Sequence, residues 1–217
     1  MPPLPLSLRN RLAELILDAF DSREAREALA ALVEVCDGRA VAPDTAARLA
    51  GLDWLDPVSG GGIRLRGAYQ AHGEALRGRA AAALRIFERP GAPRERGPLV
   101  AVLDRAARLA DAGLYFEVHE LLEPVWLRAE GSERLALQGL IQVAVGFHHA
   151  AHGNREGAIS LLAEGVAKLA VSASALPLDT AAWLDRLETV LSAWRVGSGA
   201  PGPAPWPAPT EAAWRSS

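Results

Sequence analysis

The chain of 217 residues has one cysteine, Cys36, and one lysine, Lys168. A single thiol excludes a disulfide framework and a thiolate-bound metal cluster. With no motif around it, Cys36 reads as a small buried hydrophobe rather than a nucleophile. A charge excess is also missing: 23 basic and 26 acidic side chains leave a formal charge of −3. Neither half is basic, since residues 1–90 hold 12 basic and 12 acidic groups and residues 91–217 hold 11 and 14. No electrostatic attraction for a polyanion is therefore built in. The opening MPPLPLSLRNRLAEL lacks a basic head followed by an uninterrupted apolar run, so it does not read as a secretion leader. The longest charge-free apolar run, Leu135 to His152, is interrupted by Gln138, Gln142 and histidines and falls short of a clean membrane span. These absences predict a cytoplasmic protein whose partner is neither DNA nor a membrane.

What is present is ordinary for a globular chain: 50% hydrophobic and 23% charged residues, enough for one core and a small appended domain. Leu8, Leu12, Leu15, Ile16 and Ala19 mark a short amphipathic helix. Asp21 or Ser22 caps the next, which carries Leu29, Leu32 and Val33 and stops near Gly38. A third is expected from Asp44 through Ala47 and Leu49 to about Gly51. Trp54 and Leu55 then face Ile63 and Leu65 across a Pro-Ser-Gly-rich turn, the pattern of a small β-hairpin. A helix from about Tyr69 to Glu88 follows. Three short helices and a hairpin are in the order of a winged helix, which raises a DNA-reading module. Its third helix offers only Arg48 and its hairpin only Arg64 and Arg66, few cations for phosphate contacts. The alternative is a helical accessory segment.

RPGAPRERGP, residues 89–98, has the composition of a linker. Beyond it the periodicity predicts a helix over 99–112 carrying Leu103, Ala106, Ala107, Leu109 and Ala110 and stopped by Gly113. A second, 114–128, should be kinked at Pro124, which cannot bond the carbonyl of Glu120. A third, capped by Ser132, runs from Glu133 to His152; Asn154 caps a fourth that reaches about Ala175, and Asp179 a last one through Trp183, Leu187, Leu191 and Trp194. The expected fold is all-α, a bundle of antiparallel helix hairpins at 99–196 after a helical segment at 1–88 with a winged-helix-like hairpin. Residues 197–217, Pro- and Gly-rich, read as a disordered tail in which Trp206 and Trp214 have no core to join.

The stretch LYFEVHELLEPVWLRAEGSERLALQGLIQVAVGFHHAAHGN, Leu114 to Asn154, is strongly apolar yet holds four of the five histidines. His119, Glu123 and Trp126 lie on one helical stripe, and Gln138, Gln142, Val145 and His149 on another. Across an antiparallel hairpin the two stripes would meet in an oily interior, where polar groups must pair or bind something. His148 falls off the stripe and is expected to be exposed; His152 is placed to cap a helix end; His72 stands alone. A shift of 40 residues superposes Gly113 on Gly153, Val118 on Ala158 and Leu121-Leu122 on Leu161-Leu162, a weak repeat of the tetratricopeptide-like kind. The shift sets His119 against Ile159 and Glu123 against Ala163, so polar groups stand where the second unit has apolar ones.

FEVHELLEPVW, LQGLIQVAVGFHH and HGNREGAISLL together resemble the family named domain of unknown function 309, over about residues 99–171. The resemblance implies a compact all-α domain of tetratricopeptide-like hairpins. It also carries the family's polar positions onto His119, Glu120, Glu123, Trp126, Gln138, Gln142, His149 and Asn154. Pro124 departs from the family's pattern. His119, Glu120 and Glu123 form an HExxE pattern; a zincin helix has a second histidine where Glu123 stands. With His149, His119 and Glu123 suit a divalent transition metal, whereas Glu120 lies about 100° round the helix and is expected to stand apart.

A purely structural role would have His119 bond Glu123 or Gln142, with Gln138 and His149 satisfying each other. Trp126 is expected as a core anchor with its indole N–H free for a carboxylate. Trp183 and Trp194 are expected to cover the hairpins. The first functional expectation is a module that binds a small ligand or a protein through a pocket of His119, Glu123, Gln138, Gln142 and His149. An alternative is a metal-dependent hydrolase with Glu120 or Glu123 as general base, and a second is a regulator that touches DNA through residues 1–88.

Overall fold

The computed structural model describes residues 4–41, 49, 54–58, 62–88, 97–197 and 205–210. It is an all-α protein with one small β-hairpin, and it divides into two compact units, Met1–Pro90 and Gly91–Ser217.

In the first unit α1 (Leu6–Asp18) buries Leu8, Leu12 and Ile16 of its expected stripe and leaves Leu15 half-buried, while α2 (Arg23–Cys36) buries Leu29 and Leu32 with Val35 in place of the expected Val33, which is half-buried. Ser22 caps α2, its hydroxyl oxygen accepting from the Ala25 amide at 3.1 Å. Arg26 fixes the turn between the helices by donating to the carbonyls of Ala19 (2.6 Å) and Phe20 (2.9 Å). α2 ends at Gly38, whose φ of +72° only glycine adopts cheaply. The expected third helix, Asp44 to Gly51, lies outside the described residues except for Leu49, which is helical and fully buried.

β1 (Leu55–Val58) pairs antiparallel with β2 (Gly62–Leu65), Leu55 opposite Leu65 and Pro57 opposite Ile63. The helix expected from Tyr69 begins later: Gly67–His72 is a 3₁₀ turn, and α3 runs Gly73–Phe87. A tightened entry of this kind is common where a helix starts from a strand. α3 packs on α2, with Phe87 edge-on to Phe20 at 5.1 Å, and Arg77 and Arg39 both donate to Asp37. Those two bonds hold the Asp37 carboxyl below its ordinary range. Burial, and then the neighbouring Asp37, push the half-buried Cys36 thiol up to about 11.

In the second unit α4 (Pro98–Asp111) starts with proline at a first-turn position, where its missing N–H is harmless. It buries Leu103, Ala106, Ala107, Leu109 and Ala110, as the periodicity predicts. α5 (Tyr115–Arg128) runs through Pro124 as one helix. α6 (Gly131–Ala151) begins two residues before the position expected from a Ser132 cap: Glu130 is the cap residue, and Gly131, at φ +54°, makes the turn. α7 (Arg155–Ser172) is extended by a 3₁₀ turn, Ala173–Ala175. α8 (Ala181–Val196) follows Thr180, so the expected Asp179 cap is displaced by one residue. α7 with its 3₁₀ turn, residues 155–175, is long and apolar enough to cross a membrane by composition alone, with a mean hydropathy of 1.4. Its Leu162, Gly165, Val166 and Leu169 are buried within the unit.

Two helix–glycine–helix units are visible, α4–Gly113–α5 and α6–Gly153–α7. Both glycines are left-handed, at φ +74° and +77°. Each closes its helix with the same pair of bonds: Gly113 N–H to Ala110 and Leu114 N–H to Leu109, Gly153 N–H to Ala150 and Asn154 N–H to His149. Val118 and Ala158 are buried at matched places, as are Leu122 and Leu162. His119, Ile159, Glu123 and Ala163 are all half-buried, so these positions are rims rather than core in both units.

α6 and α7 meet most closely. A Cβ on Gly165 would lie 2.8 Å from the Gly139 carbonyl oxygen and 3.0 Å from the Val143 nitrogen, and one on Gly146 would lie 3.1 Å from the Leu162 nitrogen. The atoms in the way belong to backbone and cannot swing aside.

Trp206 corrects the expectation of a tail with no core to join. It is only 6% exposed, its ring lies 4.9 Å from that of Trp183, and its amide donates to Asp111 at 2.9 Å. Thr210 N–H bonds the Pro177 carbonyl at 3.0 Å, fastening the same segment to the turn before α8. Burying an indole offsets the ordering of a short extended strap. Trp214 and most of the expected linker, residues 89–96, lie outside the described residues.

Two glycine substitutions test this packing. Gly165→Ala should destabilise the protein by about 1–3 kcal/mol, toward the upper end because backbone is met. Gly78→Ala, with nothing within 4 Å of the added methyl, should stabilise by about 0.5–1 kcal/mol through helix propensity. Urea unfolding measures both, and a neutral Gly165→Ala would contradict the close approach. For Cys36, folding raises the thiol pKa from 9.0 to about 11. Stability should thus be independent of this group below pH 9 and fall from there toward 11, where the unfolded chain ionises first. Iodoacetamide at pH 8 should label the native thiol far more slowly than the urea-unfolded one; equal rates would contradict its burial.

Candidate functional site

The first turn of α5 is buried all round, and the half-buried groups begin at its second turn. Tyr115, Phe116, Glu117, Val118 and Leu122 are buried, and Tyr115 stacks on Phe147 of α6 at 5.3 Å. His119, Glu120 and Glu123 sit half-buried. His119 Nδ1 is 3.0 Å from Glu120 Oε1, with the two side chains 29% and 34% exposed. An ionised carboxylate can only accept, so Nδ1 carries the proton and the lone pair is left on Nε2. Glu123, one turn further on, completes the group: one ligand-type atom from each of the three lies within 4.8 Å of the others. Glu120 does not stand apart as its angle suggested, because its long side chain folds back across the turn to the imidazole.

Trp126 continues this stripe. It is half-buried rather than a core anchor, with the Arg134 guanidinium 4.5 Å from its ring centre. Arg134 also donates to the carbonyls of Trp126 (3.0 Å), Leu127 (3.2 Å) and Ala129 (3.4 Å), closing the end of α5. The indole Nε1 is buried and has no hydrogen-bond partner among the described residues.

The α6 stripe turns elsewhere. Gln142 donates through Nε2 to Glu164 of α7 at 2.7 Å, while its Oε1 is buried and lacks a donor among the described residues. Glu164 also accepts from Ser160 at 3.4 Å and lies 3.8 Å from Lys168. The sequence reading missed Glu164, although the spacing of Ser160, Glu164 and Lys168 along one helical face was there to find. It also missed Glu117, which is completely buried and not without a partner. Gln138 is half-buried on α6.

His149 belongs to the α6–α7 joint. Asn154 caps α7 by accepting from the Gly157 amide at 3.0 Å through Oδ1, which turns its NH₂ toward His149 Nδ1 at 2.6 Å. His149 Nδ1 must therefore accept, and the ring proton sits on Nε2. Nδ1 is thus spent on Asn154, and the metal-capable group contains Glu120 in place of the expected His149. A Cβ on Gly157 would fall 2.6 Å from the same Nδ1. His152 caps as expected, Nδ1 donating to the His148 carbonyl at 2.8 Å. His148 is half-buried rather than exposed, its ring 4.3 Å from that of His152 and 5.9 Å from that of Phe116.

The contacts thus place most of the expected pocket residues in separate sets: His119, Glu120 and Glu123 on α5; Trp126 with Arg134; Gln142 with Glu164; and His149 with Asn154. Chemically, only the first joins an imidazole lone pair to two carboxylates. The joint makes two checkable statements. Nitrogen-detected NMR should find His149 as the Nε2–H tautomer and His152 as Nδ1–H, and Asn154→Ala should cost about 0.5–2 kcal/mol through the lost cap. A His149 with its proton on Nδ1 would contradict the joint.

Neither a curated protein nor a solved structure matches this chain significantly. Residues 103–161, which contain the α5 cluster and the His149–Asn154 joint, match the family model described as Domain of unknown function (DUF309), the family that the motifs resemble.

Proposed function

We propose that the second unit is a binding module for a small ligand or a protein and that His119, Glu120 and Glu123 of α5 are its recognition element. The observation that carries this reading is the gathering of one imidazole and two carboxylates within 4.8 Å on a half-buried face. Packing does not demand them there, since the matched positions of α7 are Ile159 and Ala163. Half-burial suits recognition: water is partly excluded, which strengthens polar contacts, yet a partner can still reach the groups. The buried Nε1 of Trp126 and Oε1 of Gln142 add hydrogen-bonding capacity that the described residues do not use.

The hydrolase reading fits less well. Its general base was to be Glu120 or Glu123, and Glu120 is engaged by His119 at 3.0 Å, which leaves Glu123 alone for the role. DNA contact through the first unit is disfavoured by Arg66, one of two hairpin cations, which is paired with Asp56 at 3.1 Å.

Native mass spectrometry of untagged protein, purified without chelators, tests the binding reading. The parent should carry a bound species that Glu123→Gln and His119→Ala lose while keeping the parent's melting behaviour. A parent free of any adduct, together with variants that unfold markedly more easily, would show that the cluster serves the fold.

A further inference from the structure

The chemistry of the α5 group narrows what it binds. His119 offers a neutral nitrogen donor at Nε2 because Nδ1 is held by Glu120, and the two carboxylates bring two negative charges. Imidazole and carboxylate together suit zinc, manganese or iron rather than the hard, all-oxygen preference of calcium or magnesium. A zinc-class ion with ligands at roughly 2.0–2.2 Å sets them about 3–4 Å apart. One ligand-type atom from each of the three residues, for His119 one of its two ring nitrogens, lies within 4.8 Å of the others, so the Glu123 carboxylate is near the imidazole and side-chain torsions can bring the two onto one ion.

We propose that His119, Glu120 and Glu123 hold one divalent first-row transition cation, bound by His119 Nε2 and a Glu123 carboxylate oxygen with Glu120 as the positioning residue; this rests on the binding reading above. Glu120 fixes the tautomer and the ring, the part that a carboxylate behind a ligating histidine commonly plays. Two protein ligands on one half-exposed helix leave the other coordination positions to water or to an incoming donor, one protein ligand fewer than an ordinary catalytic zinc site has. The His148 and His152 rings, 4.3 Å apart, are the competing place for an ion. There His152 Nδ1 is spent on a backbone carbonyl.

The test is titration of the full-length, untagged, chelator-stripped protein with cobalt(II), read by its visible absorption, and with zinc(II), read by calorimetry. The parent should take up one ion per chain. His119→Ala and Glu123→Gln should lose that uptake, and Glu164→Gln and His152→Ala should keep it, with melts confirming that every variant is folded. Glu120→Ala should weaken binding on the order of 10–100-fold, and Glu120→Gln should recover most of the loss, because its amide oxygen still accepts from Nδ1–H. No uptake by the parent would overturn the metal assignment, as would uptake lost in His152→Ala but kept in His119→Ala. Equal losses in the two Glu120 variants would overturn the positioning role. An organic or protein adduct seen by mass spectrometry with no metal uptake would sink this inference while leaving the binding reading intact.

Discussion

The second unit depends on how closely α6 and α7 approach. Gly139, Gly146 and Gly165 let the helices come together until carbonyl and amide atoms of one lie where side chains of the other would begin. At Gly165 no larger residue fits without moving backbone, and close-packed interiors give way poorly. That contact holds α6 as the platform on which α5 is laid, Tyr115 on Phe147, and Phe147 in turn meets Trp194 of α8 edge-on at 5.4 Å. With its first turn committed in this way, α5 carries His119, Glu120 and Glu123 half-buried in the turns that follow.

Polar groups in this unit fall into two economies. Asn154 closes α6 with its amide, starts α7 with its side-chain oxygen and fixes the tautomer of His149 with its side-chain nitrogen. Each of those bonds is internal and is explained by the turn. Arg134 does the same for α5, donating to the carbonyls of Trp126, Leu127 and Ala129 at its C-terminal end. The α5 cluster differs, because among the described residues its hydrogen bond, His119 to Glu120, ends no helix and reaches no neighbouring one. A partly exposed group that serves no helix end and no neighbouring helix is where a ligand is most economically placed.

The helices were legible because their signals are local. Apolar spacing marked the buried faces of α1, α2 and α4, and Gly38, Gly113 and Gly153 marked helix ends through a backbone conformation that other residues adopt at a cost. The start of α6 differs from the expected one because Gly131 supplies the turn without a capping side chain, a solution that leaves the next residue, Ser132, looking like the cap. Partner choice was far less legible. Helical stripes give angles within one helix, but the rotation of each helix against its neighbours decides whether Gln142 meets α5 or Glu164 of α7. Side-chain length defeated the reading of Glu120. Composition defeated that of Trp206, since a Pro-rich surrounding says nothing of an indole that finds Trp183 and Asp111 far away in sequence.

The account holds that the α5 cluster is placed for binding and that α5 does not need it to fold. The most direct measurement is the urea-unfolding free energy of the double variant His119→Leu with Glu123→Ala, which gives α5 side chains like Ile159 and Ala163 of α7. Glu120 then keeps access to water, and no buried partner is orphaned, so the usual penalty of about 1–3 kcal/mol for an unsatisfied group does not arise. The account predicts a stability within about 1 kcal/mol of the parent, or above it. A loss of several kcal/mol would contradict it and make the three side chains part of the fold.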